Sequence, residues 1–322
     1  MARHLVTGAA GFIGSALVDH LLASGDDVIG VDNLSTGKLK FLESARTSGR
    51  FKLEERDLLD PDALRGLLLP EVATVFHLAA NADVRFGPDR PRVDLEQNTI
   101  VTWNVLEAVR KAGVRHIAFS STGSVYGEAP VFPTPENCPF PVQTSLYGAS
   151  KLAAEGLIEA YAESFGIRAT IFRFVSIVGE RYQHGHVLDF TAQLLRDPSH
   201  LRILGNGKQR KSYLYIGDCL DAIMTALRAK TAGKVEIYNL GTDEFIAVDD
   251  SIAVICDELK VSPQREYTGG ERGWIGDNPM IFLACDKIRA LGWRPRLGIS
   301  DGVRLTVRYL LENRWLLPEA RS

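Results

Sequence analysis

The run His4-Leu5-Val6-Thr7 leads directly into glycines, and the chain resumes as Phe12-Ile13-Gly14-Ser15-Ala16-Leu17-Val18-Asp19-His20-Leu21-Leu22. That order predicts a strand, a tight turn and a helix. Gly8-x-x-Gly11-x-x-Gly14 falls on the turn, where absent side chains let the backbone bend sharply and approach a ligand closely. The helix that follows opens with unpaired N–H groups and the positive end of its dipole. Gly8, Gly11, Phe12, Ile13 and Gly14 therefore form an anion cradle suited to a pyrophosphate. A second run, Val28-Ile29-Gly30-Val31, ends in Asp32, with Asn33 beyond it. An acidic side chain about 20 residues past such a turn accepts hydrogen bonds from the 2′-hydroxyl of an adenosine ribose and repels a 2′-phosphate. The expected cofactor is NAD rather than NADP. A cap on the loop 33–37 is the plainer role for Asp32, and it accounts less well for the strand-end position and the spacing.

Strand-like and helix-like runs alternate through the first half: Phe51 to Glu54, Ala63 to Leu69, Ala73 to Leu78, Thr99 to Lys111, His116 to Ser120, Leu152 to Phe165 and Arg168 to Phe174. Such alternation predicts an α/β fold, a doubly wound parallel sheet of the Rossmann type. Beyond residue 174 the pattern turns irregular, as expected of a smaller, interleaved substrate lobe. Tyr213 to Ile223 and Glu236 to Gly241 read as sheet-domain pieces arriving late. The expected division is 1–173 plus about 212–241 for the cofactor domain, and about 174–211 and 242–322 for the lobe.

The chain has 322 residues, 45% of them hydrophobic and 24% charged, enough for a large core. A formal charge of −3 gives no electrostatic reason to expect nucleic acid or an anionic membrane as partner. No apolar run has the length of a spanning helix and the N-terminus has no signal-peptide core, so the expected location is cytoplasmic. Cys138, Cys219, Cys256 and Cys285 are scattered, which argues against a disulfide framework or a structural zinc site. His184-Gly-His186 lacks a third ligand of clear spacing and is read as loop; no metal is expected. Phe172, Phe174 and Trp103 are read as core.

Tyr147-Gly-Ala-Ser-Lys151 places a phenol and an ammonium four apart near the start of a helix, on one face. For tyrosine to act as a base near neutrality, its ordinary value of about 10 must fall by roughly three pH units, about 4 kcal/mol. A cation about 4 Å away at an effective dielectric of ~20 supplies that much. Lys151 has two uses here, lowering the tyrosine and binding the nicotinamide ribose. Ser120-Ser121-Thr122 ends the preceding strand, at the edge of a parallel sheet where ligands bind, and one of its hydroxyls is expected to face Tyr147.

Thr7 to Gly14, Asp32-Asn-Leu, Asp57-Leu58, His77-Leu-Ala-Ala80, Asn98, Ser120 to Thr122, Tyr147 to Lys151, Arg173-Phe174 and Gly292-Trp293-Arg-Pro295 occur in this order. The pattern resembles, nearly from end to end, the extended short-chain dehydrogenase/reductases that modify nucleotide-sugars, and within them the UDP-galactose (UDP-glucose) 4-epimerases. The resemblance implies that Thr122, Tyr147 and Lys151 are catalytic. It implies that Asp57 and Leu58 line the adenine pocket and that Leu78, Ala79 and Ala80 line the diphosphate and nicotinamide ribose. Asn98, Ser120 and, on the nicotinamide side, Phe174 complete the implied cofactor set. Lys211 or the adjacent Arg210, and Arg272, are implied to hold the diphosphate of a nucleotide-sugar substrate, which needs fixed cations. A homodimer through the helices around 99–111 and 152–165 is also implied.

Relatives that eliminate water or carbon dioxide carry acidic residues just after the catalytic hydroxyl, where this chain has Gly123 and Ser124. Without a carboxyl there, elimination has no evident catalyst, and oxidation followed by return at C4 is the simplest reaction. The family's Arg-Tyr-Phe-Asn stretch reads Arg173-Phe-Val-Ser176. A hydroxyl residue also stands at that place in relatives acting on UDP-glucuronate, with Arg85 or Arg181 available for a C6 carboxylate. UDP-glucuronate 4-epimerisation, a dehydratase or decarboxylase activity, and a non-catalytic NAD-binding scaffold stay open as alternatives; a scaffold that had lost its chemistry is hard to reconcile with an intact Tyr147 and Lys151.

Overall fold

The computed structural model describes residues 1–84, 87, 89–140, 142–273 and 277–317. They cluster into two compact units. The first comprises residues 1–125, 145–174 and 223–238, and the second 126–144, 175–222 and 239–322.

The first unit contains β1 (Arg3–Thr7), α1 (Phe12–Ala23), β2 (Asp27–Asp32), α2 (Glu43–Arg46), β3 (Phe51–Glu55), β4 (Val72–His77), α3 (Pro91–Asp94), α4 (Val101–Ala112), β5 (His116–Thr122), α5 (Leu146–Phe165) and β6 (Arg168–Phe174). With β11 (Val235–Leu240) these strands form a seven-stranded sheet in the order β11-β6-β5-β4-β1-β2-β3. The pairings β1 with β2 and β4, β2 with β3, and β5 with β4 and β6 are all parallel. Strand order therefore reverses between β1 and β4, the switch point at whose carboxyl end a doubly wound sheet opens a crevice. Leu5, Val75, Ile117 and Ile171 are fully buried in the sheet. Val101, Val105 and Val109 of α4, and Ala154, Ile158 and Ala162 of α5, cover it at helical spacing.

The second unit begins its later elements with β7 (Ser176–Val178), α6 (His186–Arg196), β8 (His200–Ile203), β9 (Arg210–Lys211), β10 (Tyr213–Tyr215) and α7 (Ile216–Arg228). It continues with β12 (Ile246–Ala247), α8 (Val248–Leu259), β13 (Gln264–Tyr267), β14 (Met280–Ile281), α9 (Asp286–Ala290) and α10 (Ile299–Glu312). Its strands make small sheets, β10 with β7, β12-β9-β14, and β13 with β8. The boundary between the units runs through α7 and β11.

Several sequence expectations are corrected. Residues 61–67 form turns rather than a helix, although Ala63, Leu64, Leu67 and Leu68 are buried; Gly66 adopts φ 76° and prolines flank the segment, so no helical run can propagate. The stretch from Tyr213 was expected in the large sheet, but β10 pairs with β7 and 212–222 cluster with the second unit, as do 126–144. Trp103, read as core, is 45% exposed. Helix α5 starts at Leu146, earlier than its apolar pattern suggested, because Ser145 accepts a hydrogen bond from Gly148 N at 3.0 Å and caps it. Among the described residues no helix is long and apolar enough to cross a membrane. All four cysteines are buried and free.

Candidate active site

The glycine turn is built by close packing. Gly8 has φ 68°, and a Cβ there would stand 2.8 Å from Ala79 N beyond β4; a Cβ on Gly14 would stand 2.0 Å from Gly8 O. These two glycines let the turn close on itself and on the segment Leu78–Ala80, bringing both lips of the switch-point crevice together. At Gly11 an added Cβ would meet only Gly8 O, at 3.1 Å. Gly11 is also the extended N-cap of α1, with no side chain to occupy the first turn. The turn thus leaves the first N–H groups of α1 uncovered by side chains, the geometry an anion cradle needs. Asp32 ends β2 with Oδ2 accepting from Ala10 N at 2.9 Å and Oδ1 from Leu34 N at 2.8 Å, so the loop cap and the strand-end position coexist. Each oxygen keeps a second lone pair for a ribose hydroxyl. Burial raises the Asp32 carboxyl above its ordinary value, partly offset by those two N–H groups. Asn33 Nδ2 reaches Asp57 Oδ2 at 3.3 Å, which ties together two residues expected at the adenosine; Leu58 is buried, its carbonyl accepting from Asn104 at 2.8 Å.

A directional chain runs from this turn into α4. Thr7 Oγ1 accepts from Leu78 N and Ala79 N, both at 3.1 Å, leaving its single hydrogen for His77 Nδ1 at 2.8 Å. The proton of His77 is thereby assigned to Nε2, which donates to Thr102 Oγ1 at 3.0 Å, and Thr102 donates to Asn98 O at 2.5 Å. Burial, reinforced by the Lys151 cation, holds His77 neutral, pushed down to about 3. Residues 95–100, between α3 and α4, form a π-helical turn, a feature that recurs at functional sites. It carries Asn98, whose carboxamide donates to Ser150 at 2.9 Å and accepts from Asn81 N at 2.9 Å. Asn98 thus clamps the first turns of α5 from below.

The three hydroxyls ending β5 separate in function. Ser120 donates to His77 O at 3.3 Å, and Ser121 donates to Glu155. Thr122 hydrogen-bonds Tyr147, and its Oγ1 accepts from Ser124 N at 3.1 Å. Thr122 is accordingly the hydroxyl the sequence reading sought opposite Tyr147. Lys151, one turn along α5, is buried with its ammonium 4.0 Å from the centroid of the Phe119 ring. One electrostatic expectation is reversed. Burial pushes Tyr147 up to about 12, against the lowering effect of Thr122 and with the Asp94 carboxylate adding to the rise. Burial also pushes Lys151 down to about 7, opposed by Glu155. In the chain's own field, burial dominates both groups, and neither is among the causes of the other's shift.

Phe174 is buried and stacks on Phe172 with ring centroids 6.3 Å apart. In the second unit, the cations expected at a diphosphate separate clearly. Lys211 Nζ lies 2.6 Å from Asp277 Oδ1 and also donates to Asn278 O. Arg272 donates to Asp277 O at 3.2 Å and pairs with Glu128. Asp277, which the sequence reading missed, therefore gathers Lys211 and Arg272 into one cluster. Arg210 instead lays its guanidinium over Phe245, 5.4 Å from the centroid. Ser176 is exposed in β7, and Arg181, at φ 70°, hydrogen-bonds Tyr309 of α10. Arg85 lies outside the described residues. His186 bonds Ser251 at 2.7 Å and Tyr213 at 3.2 Å, a structural use of the His-Gly-His segment.

Asp94 and Glu155 also escaped the sequence reading. Each stands four residues from a residue already singled out, Asn98 and Lys151, which was the available signal.

The chain is 34% identical over 315 residues, 95% of its length, to the UDP-glucose 4-epimerase of Mycolicibacterium smegmatis, covering 98% of that protein. A solved UDP-galactose 4-epimerase matches it with a TM-score of 0.88 and 37% identity over 97% of this chain and all of the other. The UDP-glucuronic acid 4-epimerase of Bacillus cereus, crystallised with UDP-glucuronic acid and NAD, matches with a TM-score of 0.87 and 28% identity over 97% of this chain and 99% of that one. Residues 4–241 match the NAD dependent epimerase/dehydratase family, and the chain belongs to that family.

Proposed function

We propose that this protein is an NAD-dependent UDP-sugar 4-epimerase of the UDP-glucose/UDP-galactose type, an isomerase. The observation that carries the reading is the Thr122–Tyr147–Lys151 set at the carboxyl end of β5 and the start of α5, followed by Gly123 and Ser124 with no carboxyl to drive an elimination. The residues at the switch point suit NAD: the glycine turn and open α1 N-terminus for the pyrophosphate, Asp32 for the adenosine ribose, Lys151 for the nicotinamide ribose. When bound, NAD supplies the acceptor that takes hydride from C4 and returns it, and its positive ring favours the phenolate. Tyr147 takes the C4 hydroxyl proton and gives it back, Thr122 holds the same oxygen, and Lys151 stabilises the phenolate. Lys211 and Arg272, gathered by Asp277, are suited to the diphosphate; the stacked and exposed Arg210 is less so.

Incubation with UDP-galactose, followed by product NMR, tests the reading. The expected product has unchanged mass and inverted C4, and in deuterated water C5 stays unlabelled. Loss of water or carbon dioxide, or deuterium at C5, rejects it. A second reading, UDP-glucuronate 4-epimerisation, is favoured by Ser176 and Arg181 and by the likeness to the Bacillus cereus enzyme; UDP-glucuronate as the better substrate in the same assay would establish it.

The working form is a cytoplasmic homodimer. Leu95, Ile100, Trp103, Leu146 and Phe165 expose apolar surface on or beside α4 and α5, a face a second copy would cover, and four free buried cysteines suit a reducing compartment. A monomer by light scattering at micromolar concentration rejects the dimer.

A further inference from the structure

We propose that Glu155, held by Arg173 and Ser121, is a positioning residue that sets Lys151 and Thr122 for proton transfer at Tyr147. The inference rests on the reading of Tyr147 as the proton acceptor. Tyr147, Lys151 and Glu155 follow one another at intervals of four along α5, so they share a stripe. Glu155 and Arg173 are 1% and 2% exposed. Arg173 Nη2 meets one carboxylate oxygen at 2.6 Å, and its Nε lies 3.1 and 3.2 Å from the two oxygens. The oxygen Oε1 also accepts from Ser121. Ser121 is the register partner of Arg173 across β5 and β6, and the chain neighbour of Thr122. A single carboxylate therefore ties α5, which bears the phenol and the ammonium, to the strand end that bears the third catalytic hydroxyl.

Stability alone does not account for this arrangement. A buried ion pair costs several kcal/mol per ion in desolvation, and apolar residues of equal volume are commonly as stable or more so. Neighbouring positions on the same helix, Ala154, Ile158 and Ala162, are already apolar and buried. The charge has a second use, since Glu155 is the group that opposes the burial of Lys151. Lys151 otherwise faces the Phe119 ring from β5, and neutral His77 lies on β4 behind that ring. Thr122 and Asp94 act on Tyr147, and Glu159, one turn beyond Glu155, interacts with both Glu155 and Arg173. Within this set Glu155 opposes the loss of the Lys151 charge and Ser121 keeps Thr122 in line.

The test replaces the pair with apolar residues, E155L/R173M, and separately removes the strand link in S121A, with S121T restoring it. Wild-type epimerisation of UDP-galactose is measured first; its absence counts against the proposed function and leaves the Lys151 titration to decide the present proposal. In E155L/R173M, the Lys151 side-chain titration followed by NMR is expected to move below the wild-type midpoint by roughly half a pH unit or more. Turnover is expected to fall about 10- to 100-fold, with KM within about threefold and a melting temperature near wild type. S121A is expected to lose roughly three- to tenfold in kcat, and S121T to recover it. An unmoved Lys151 midpoint with turnover within about twofold of wild type overturns the proposal and leaves the pair a structural clamp. If the double variant fails to fold, S121A decides: turnover within about twofold overturns it, and a loss rescued by S121T supports it.

Discussion

The proton-transfer groups proposed in the first unit and the cations of the second meet different direct partners. In the first, the ends of β1, β4 and β5 bury an imidazole, an ammonium and a phenol whose direct contacts are hydroxyls and an aromatic face: Thr7 and Thr102 around His77, Phe119 under Lys151, Thr122 on Tyr147, with the Asp94 and Glu155 carboxylates acting on Tyr147 and Lys151 through their charge. Burial sets their protonation, and each is displaced toward its neutral form. In the second, the cations are matched by carboxylates, Lys211 by Asp277 and Arg272 by Glu128. The difference fits the two tasks. A group that must exchange a proton is most responsive where its charge is costly and a small new field can tip it. A group that must hold a dianion needs only a permanent charge in a fixed place. The comparison is broken if removing charge in the first unit weakens binding, or if removing it in the second slows the chemical step.

The largest expected effect is at Tyr147. Tyr147→Phe removes the proposed proton acceptor while leaving the buried ring in place, so kcat should fall about 10²- to 10⁴-fold with KM nearly unchanged. Steady-state kinetics with UDP-galactose read both. Activity within a few-fold of wild type would assign the base elsewhere and leave the hydroxyl and lysine around it without a purpose.

The same contrast explains what the sequence disclosed. The first unit's site was readable because its geometry is local: a strand-turn-helix junction around Gly8 to Gly14, a four-residue helical interval from Tyr147 to Lys151, a strand end at Thr122. Each follows from a backbone period that residue spacing reveals. Glu155 obeys the same interval and was readable in principle, but its meaning depends on Arg173, a strand residue 18 positions on. In the second unit, Lys211 meets Asp277 across 66 positions and Arg272 meets Glu128 across 144, through short strands and loops with no repeating pattern. No periodicity encodes such pairings, so two adjacent cations, Arg210 and Lys211, looked equivalent. The field at Tyr147 was misjudged for a related reason: spacing gives the distance to a cation but not the depth of burial, and burial dominates.

A smaller effect separates the two adjacent cations. If Lys211 holds the diphosphate, Lys211→Met should raise KM by about 10- to 100-fold, the 1.5 to 3 kcal/mol of a charged hydrogen bond, with kcat within about threefold. Arg210→Met, which removes a stacked and exposed guanidinium, should change KM by less than about threefold. A thermal melt of each variant checks that the buried Asp277 carboxylate, left without its lysine, has not unfolded the protein. Equal KM shifts at both positions would mean that burial beside Asp277 does not mark the working cation, and the division of labour drawn above would lose its support in the second unit.

The smallest effect is on stability and concerns the two buried lysines. Lys151 titrates at about 7 in the folded chain and near 10.4 when unfolded, so between those values the unfolded chain binds a proton that the native one lacks. Native Lys151 therefore costs stability at low pH, and the cost is relieved as pH rises from about 7 toward 10.4. Lys211 is displaced in the same direction by burial, with Asp277 opposing the shift at 2.6 Å. Urea unfolding of wild type, Lys151→Met and Lys211→Met at pH near 7.5 and 9.5 isolates the two contributions, because every other titrating group is common to all three. Wild type should gain about 2 kcal/mol more than Lys151→Met across that interval, from a slope of roughly 1.4 kcal/mol per pH unit per proton. The corresponding difference for Lys211→Met should have the same sign. A Lys151→Met curve parallel to wild type would show that Lys151 is charged in the native chain well above neutrality, and that the Phe119 face with the Glu155 charge holds a cation as well as the direct Asp277 contact holds Lys211.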